Sequence, residues 1–166
     1  MISLLPVFFP VLTGLYMLKA QIKDRKDREK YVLCSLLVTL VFTGATNFVF
    51  YNTQLTFARF AAGIEISFHI DSIAVLFSTI FSVVWCLVAV FSMEYMKHEG
   101  EENRFFAYYI ASLGGLIGVA YADNLATLYL FFEMMSLLSY VLVVHSRTND
   151  SLLAGRKYIY YSLFGA

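Results

Sequence analysis

The chain has 166 residues, of which 60% are hydrophobic and only 14% charged, and its formal net charge is zero. A soluble domain carries about 25% charged residues, so this composition excludes an ordinary soluble domain and favours a membrane protein. The neutral charge balance, together with the lack of a glycine-rich phosphate loop or a metal-type cysteine–histidine cluster, predicts no nucleic-acid partner, no cofactor and no metal.

The N-terminal third predicts two membrane-spanning helices. Ile2 to Leu18 is uncharged, and the first basic residues of the chain follow this apolar stretch rather than precede it. This order is the reverse of a signal peptide, so we expect a retained helix. Residues 23–30 are too charged for the bilayer and predict a loop or a helix extension among the lipid headgroups. Tyr31 to Tyr51 is a second uncharged span, long enough for a hydrocarbon core of about 30 Å.

The segment after the second span has strand-like character. Leu55 and Phe57 alternate with small or polar neighbours, and residues 64–70 alternate again after the small segment 61–63. Period-two alternation on both sides of a small segment predicts a short β-hairpin outside the bilayer. Asp71 follows, and its carboxylate is expected to cap the next helix.

Three further spans and the start of a sixth complete the chain. They cover Ile73 to Met93, Phe105 to Ala122, Leu125 to Val144, and the residues from Leu152 onwards. Residues 94–104 are expected to be a plain solvated connection. In the fourth span, small residues at helical spacing predict close approach of another helix; they are Ala111, Gly114, Gly115 and Gly118.

The two cysteines lie within apolar runs. A disulfide or a metal site requires close and geometrically matched partners, which the sequence does not place beside Cys34 or Cys86. We therefore expect two buried free thiols that pack as small hydrophobic side chains.

The sequence thus predicts an all-α polytopic membrane protein with five transmembrane helices plus the start of a sixth. A short external β-hairpin joins the second and third helices, and residues 1–166 form a single membrane domain. Eleven of the 12 Lys and Arg residues fall on one side of the membrane, and Arg59 falls on the other. The positive-inside rule then places the N-terminus and the hairpin outside a prokaryotic plasma membrane.

One carboxylate interrupts the fifth predicted span. Glu133 is the only charged residue of that span and lies near its middle. A charge in the hydrocarbon core is costly, so its presence indicates a function. Tyr129, Ser136 and Tyr140 share its helical face, which is therefore expected to face protein or buried water. The alternative is a permanently neutral glutamate that forms a hydrogen bond to another helix.

Two further residues are candidates for proton transfer. His145 lies at the end of the fifth span, and histidine is a side chain commonly used as a proton relay near neutral pH, although an interfacial histidine is equally expected there. Lys157, near the start of the sixth span, is the other buried-charge candidate, with snorkelling to the interface as its alternative.

Four stretches of the chain resemble the N-terminal part of the proton-translocating antiporter-like subunits. This superfamily includes the large membrane subunits of respiratory complex I, the Mrp-type antiporters and the membrane-bound hydrogenases. The resemblance implies that Glu133 pairs with a lysine on a later helix, and that Lys157 matches the lysine that opens the sixth helix. The matching stretches are ISFHIDSIAVLFS, EYMKHEGEENRFFAYY, ADNLATLYLFFEMMSLLSYVLVVH and AGRKYIYYSLFGA.

The chain departs from this family in its length, because the resemblance implies roughly fourteen helices in two inverted repeats. One carboxylate does not make a transmembrane path. We therefore expect a membrane subunit, or the N-terminal portion of a split subunit, of a multisubunit cation/proton-translocating complex, with no catalysis by this chain alone. The expected partners are other membrane subunits, including a segment that supplies a lysine to Glu133, the lipid bilayer, and protons or sodium ions.

Two alternatives remain open from the sequence. One is a structural, non-translocating membrane module of such a complex, that is, a shortened relative of the family retained as a structural element. The other is an unrelated small transporter, which would need a midplane site formed by discontinuous helices.

Overall fold

The computed structural model describes residues 2–59, 65–98 and 100–165. Within these ranges the fold consists of six α-helices and one antiparallel pair of strands, with short 3₁₀ turns at Ile2–Leu4 and Met96–His98. In chain order the elements are α1 (Leu5–Ala20), α2 (Arg25–Val49), β1 (Gln54–Arg59), β2 (Glu65–His69), α3 (Ser72–Tyr95), α4 (Glu102–Tyr121), α5 (Leu125–Val143) and α6 (Asn149–Gly165).

Helix α4 forms the centre of the bundle, with α1, α3 and α5 packed around it. Its apolar side chains are buried almost all the way round, which is typical of a helix surrounded by others. The completely buried ones are Phe106, Ile110, Leu113, Ile117 and Tyr121. Helices α1 and α5 therefore hold their positions largely through contact with α4, whereas α2 packs mainly on α3 and α1, and α6 packs on α5.

The predicted close approach of helices to α4 is confirmed. A Cβ atom added to Gly114 would collide with the carbonyl oxygen of Val7 on α1. One turn further along α4, a Cβ atom added to Gly118 would collide with the ring of Phe131 on α5. Glycine at these two positions thus lets α1 and α5 contact the backbone of α4 directly, as small residues do in membrane helix packing.

The predicted hairpin is present as the antiparallel pair β1 and β2, with Gln54 opposite His69 and Leu55 opposite Phe68. Its predicted small segment at 61–63 lies outside the described residues. Phe68 is fully buried, and its ring packs on Phe131 of α5 at a centroid distance of 5.5 Å. The hairpin is therefore attached to the bundle at one end, which we call the hairpin end.

Four helical segments among the described residues are long and apolar enough to cross a membrane: Ile2–Ala20, Arg25–Val49, Ser72–Tyr95 and Leu125–Val143. The helical, multi-pass class with a two-stranded hairpin is thus confirmed. The expected count of five complete spans plus the start of one is not established by these criteria. The central α4 begins with charged residues, and α6 has 17 residues.

The opposite end of the bundle, which we call the basic end, contains the α1–α2, α3–α4 and α5–α6 connections. There, Arg28 on α2 donates to a carboxylate oxygen of Glu102 on α4 at 2.6 Å, and to the carbonyl of Ile22 at 3.2 Å. The Arg28 side chain is only 8% exposed. This ion pair joins the first loop of the chain to the start of the central helix.

The interpretation of residues 94–104 as a plain solvated connection is wrong. Glu102 and Arg104 already belong to α4, and Glu102 supplies the counter-charge that a buried guanidinium such as Arg28 requires. Residues 23–30 adopt the helix-extension alternative from Arg25 onwards, with Asp24 as the capping residue. Both cysteines are free, but Cys34 is exposed on the surface of this chain rather than buried.

Gly114→Ala should lower the free energy of unfolding by about 1–3 kcal/mol, because the added methyl group overpacks the contact between α1 and α4. The matched control is Gly44→Ala, since a Cβ atom at Gly44 meets no neighbouring atom within 4 Å. Thermal unfolding of the purified protein in detergent measures both variants. Equal melting temperatures for the two variants would contradict the proposed close packing.

Candidate ion-pathway site on helix α5

The start of α5 is held by hydrogen bonds to strand β2. The Asn124 side chain accepts a hydrogen bond from the Thr127 N–H at 2.8 Å and donates to the Glu65 carbonyl at 2.8 Å. The Ser67 N–H donates to the Thr127 hydroxyl at 2.9 Å, and the Asp123 N–H donates to the Ser67 carbonyl at 3.1 Å. We call the group Ser67, Asn124 and Thr127 the hairpin clamp.

Glu133 lies in the middle of α5 and is partly buried. Its Oε1 atom is buried and has no hydrogen-bond partner among the described residues. A buried carboxylate oxygen without a partner is costly, since nothing replaces the water that it loses. The described residues therefore leave the hydrogen-bonding capacity of this oxygen unsatisfied.

The hydroxyl-bearing face around Glu133 is divided into two parts. Toward the basic end it faces α6: Ser136 is buried and accepts a hydrogen bond from the Ser162 hydroxyl at 2.8 Å, and Tyr140 lies against Gly155. Toward the hairpin end the described residues leave it uncovered, and Tyr129 is 52% exposed. One part of this face is therefore available for contact with other membrane segments or lipid.

His145 connects α5 to the loop before α4. Its Nε2 atom is 2.9 Å from the Gly100 carbonyl and donates to it, while its own carbonyl accepts from the Arg104 guanidinium at 2.6 Å. The Phe105 ring packs edge-on against the imidazole at 5.4 Å. Twelve residues separate His145 from Glu133, which corresponds to about 18 Å along a helix, so the two side chains are not adjacent.

Lys157 lies on the outside of α6. Gly155 packs against Tyr140, and Ser162 against Ser136, so Lys157 is located between these two levels. Its side chain is exposed and does not face α5. The structure therefore does not bring Lys157, His145 and Glu133 together within this chain.

A buried polar seam between α2, α3 and α4 was not predicted. Asn47 donates to the hydroxyls of Ser78 and Thr79 at 3.0 and 3.2 Å and accepts from the Tyr121 hydroxyl at 2.7 Å. One turn further from the hairpin end, the Ser82 hydroxyl donates to Thr43 at 3.2 Å. The sequence feature that could have indicated this seam is the helical spacing of hydroxyl residues in α2. Hydroxyl residues are common in membrane helices, so this feature is weak evidence for a polar contact.

Among the described residues, no group of three or more His, Cys, Asp or Glu side chains is placed to hold a metal ion. His69 and Asp123 form a pair, with their Nδ1 and Oδ1 atoms 3.9 Å apart. A hard or borderline metal ion needs more ligands than this pair provides.

Two family models match the chain. Residues 58–106 match the N-terminus of chain 5 of NADH-ubiquinone oxidoreductase, complex I. Residues 122–166 match the transmembrane region of the NADH:quinone oxidoreductase/Mrp antiporter family. The second match contains α5 and α6, and therefore Glu133, His145 and Lys157.

Individual relatives agree with these models. Subunit A1 of the Na(+)/H(+) antiporter is 29% identical over 104 residues in both Staphylococcus haemolyticus strain JCSC1435 and Staphylococcus aureus strain JH9. Among solved structures, a chain of the membrane-bound sulfane sulfur reductase, an archaeal respiratory membrane complex, matches with a TM-score of 0.79. It is 20% identical in sequence and covers 95% of the present chain, so it supports the fold.

The matches cover only part of each relative. The antiporter matches cover 62% of the present chain but 13% of the length of each antiporter subunit. The structural match extends over 33% of the sulfane sulfur reductase chain. The 166 residues thus correspond to a fraction of these longer proteins.

Thr127→Val should lower the free energy of unfolding by about 1–3 kcal/mol, because it leaves the buried Ser67 N–H without an acceptor. Thr127→Ser keeps the hydroxyl and should lose much less. Thermal unfolding in detergent compares the two variants at a single position. A Thr127→Val protein as stable as the Thr127→Ser protein would show that the hairpin clamp contributes little.

Proposed function

Because the chain belongs to the superfamily of antiporter-like membrane subunits, we propose that it is a membrane subunit, or the N-terminal portion of a split subunit, of a multisubunit cation/proton-translocating complex. The observation that carries this proposal is the family match over residues 122–166, which includes the helix with the intramembrane glutamate. In this proposal the 166 residues form one membrane domain, shorter than the full family architecture. Other membrane subunits, the lipid bilayer, and protons or sodium ions are its partners.

The role that we propose for Glu133 follows from its unpartnered oxygen. The buried Oε1 atom has no donor among the described residues. A cation placed beside a buried carboxylate stabilises its ionised form, and withdrawal of that cation favours protonation. A lysine on a membrane segment outside this chain would form such a pair, and its movement would allow Glu133 to take up and release a proton.

The other two candidates have separate places in this proposal. His145 exchanges protons with water at the basic end, about 18 Å from Glu133, so side chains or water must connect the two. Lys157 is exposed on the outside of α6, where it faces a neighbouring segment or the membrane interface. Neither residue replaces the cation that Glu133 requires.

The orientation that we propose follows from the charge distribution. Eleven of the 12 Lys and Arg residues lie at or near the basic end, and the positive-inside rule then supports a cytoplasmic location for that end in a prokaryotic cell. The N-terminus and the hairpin then lie outside the plasma membrane. Helix α5 runs from the outer face at Leu125 toward the cytoplasmic face.

A structural, non-translocating module is the second candidate function. The buried polar seam around Asn47 and the Arg28–Glu102 pair favour it, because both join helices without contacting Glu133. In that case Glu133 would form a permanent hydrogen bond to a partner helix. The two functions predict different effects of replacing Glu133 by a neutral residue. Transport is lost in the first, whereas in the second transport is unchanged or only assembly is weakened.

Glu133→Gln should slow cation or proton movement by the assembled complex at least about tenfold, because the amide keeps the hydrogen-bonding shape but does not exchange a proton. Transport is measured with a pH-sensitive dye in vesicles that contain the complex, and assembly is measured by the amount of complex purified. The control is Glu101→Gln, which changes an exposed carboxylate at the basic end. Unchanged transport by Glu133→Gln, or loss of assembly alone, would favour the structural module.

A single cysteine at Gln54 should react with a membrane-impermeant maleimide from outside intact cells, because β1 lies on the proposed external face. Cys34→Ser and Cys86→Ser remove the native thiols from this background. A single cysteine at Lys23 serves as the control and should react only after the membrane is opened. The reverse labelling pattern would overturn the proposed orientation.

A further inference from the structure

A groove at the hairpin end of the bundle has a polar mouth and an apolar floor. His69, Asp71 and Asp123 surround the mouth. The floor is formed by apolar side chains of α3 and of the end of α4, including Phe77 and Val119, together with Leu128 of α5. Its volume is about 490 Å³, which lies within the range of about 300–1,000 Å³ that is common for small-molecule sites.

The depth of the groove matches one leaflet of a bilayer. Along α3 it extends from Asp71 at the mouth to Phe81 at the bottom, which is about 15 Å of helix. This is half of a hydrocarbon core of about 30 Å. Ile73 and Phe77, which line the groove, are 64% and 46% exposed. The groove therefore opens sideways toward lipid as well as toward the membrane surface at its mouth.

The mouth of the groove carries two carboxylates. The Asp123 side chain is 28% exposed, and its Oδ1 atom is 3.9 Å from Nδ1 of His69. Asp71 accepts a hydrogen bond from the Ala74 N–H at 2.7 Å, and His69 contacts Asn52 at 3.4 Å. Beyond these contacts, the described residues give neither carboxylate a cationic partner, so acceptor oxygens remain available at the mouth.

The charges at the mouth select among lipid headgroups. A primary ammonium group has three N–H donors and complements two carboxylates. A headgroup with a net negative charge, such as that of phosphatidylglycerol, would be repelled by the same two groups, whereas the zwitterionic ethanolamine headgroup has no net charge. A quaternary ammonium group is recognised best by aromatic faces, whereas Phe77 and Phe81 lie below the mouth rather than around it.

We propose that this groove binds an aminophospholipid of the phosphatidylethanolamine type. The ammonium group lies between Asp71 and Asp123, and one acyl chain follows the apolar floor past Phe77 to Phe81. The exposed Ile73 and Phe77 leave the groove open toward the membrane side of α3, so an acyl chain can enter it from the lipid phase. The proposal does not depend on ion translocation.

Native mass spectrometry of the delipidated, assembled complex tests the headgroup preference. The complex is titrated with phosphatidylethanolamine and phosphatidylglycerol of identical acyl chains. We expect stronger binding of phosphatidylethanolamine, and Asp123→Asn should weaken that binding about tenfold, as expected for loss of one charge-assisted contact. Asp123→Asn leaves the backbone bond to Ser67 in place, and Asp150→Asn at the basic end is the matched control.

Two results would overturn the headgroup preference. One is equal binding of the two lipids by the unmodified complex, and the other is unchanged phosphatidylethanolamine binding by Asp123→Asn. Leu128→Trp provides a second variant that leaves the charged mouth intact. It narrows the apolar floor and should also reduce phosphatidylethanolamine binding, so full binding by Leu128→Trp would place the lipid elsewhere.

Photo-crosslinking identifies the occupant of the floor directly. Benzoylphenylalanine incorporated in place of Phe77, within the complete complex in native membranes, should produce an adduct with the mass of a phosphatidylethanolamine. The same probe in place of Phe164, which is 87% exposed, measures non-selective labelling by bulk lipid. An adduct from Phe77 that contains only a polypeptide would show that a protein segment occupies the groove and would overturn the proposal.

Discussion

The direct contact of α1 and α5 with the backbone of α4 is the constraint on which the rest of this structure depends. In a bilayer, lipid tails are as apolar as leucine side chains, so helices associate through close packing and hydrogen bonds rather than through the hydrophobic effect. Gly114 allows that packing with α1, and Gly118, one turn further along, allows it with α5. The hairpin clamp, the polar seam and the Arg28–Glu102 pair then fix the ends and the rotation of helices that are already close together.

Features that depend on local sequence could be predicted well. Three such features are present: the two strands of the hairpin, the Asp71 cap and the small residues of α4. Each depends only on neighbouring backbone groups or on the periodicity of a single helix or strand. Glu133 could be identified as a candidate for a similar reason, since one charge in an uncharged span is visible without a structure.

Features that depend on contacts between distant segments could not be predicted. Glu102 appeared to be one charge among several in a solvated connection, because its partner Arg28 lies 74 positions away. Thr127 resembled an ordinary residue of a helical first turn, although its hydroxyl accepts from Ser67 in a strand. Sequence patterns report the periodicity of one element, and they carry no information about which elements meet.

The attachment of α6 has a consequence for the order in which the chain becomes rigid. In the described part of α6, Gly155 is the buried residue, whereas α4 is buried along most of its length. Segments with few buried contacts open at a lower free-energy cost than the core to which they attach. We therefore expect α1–α5 to form the persistent body of the protein, and α6 to be its last helix to dock and its first to detach in hydrogen exchange.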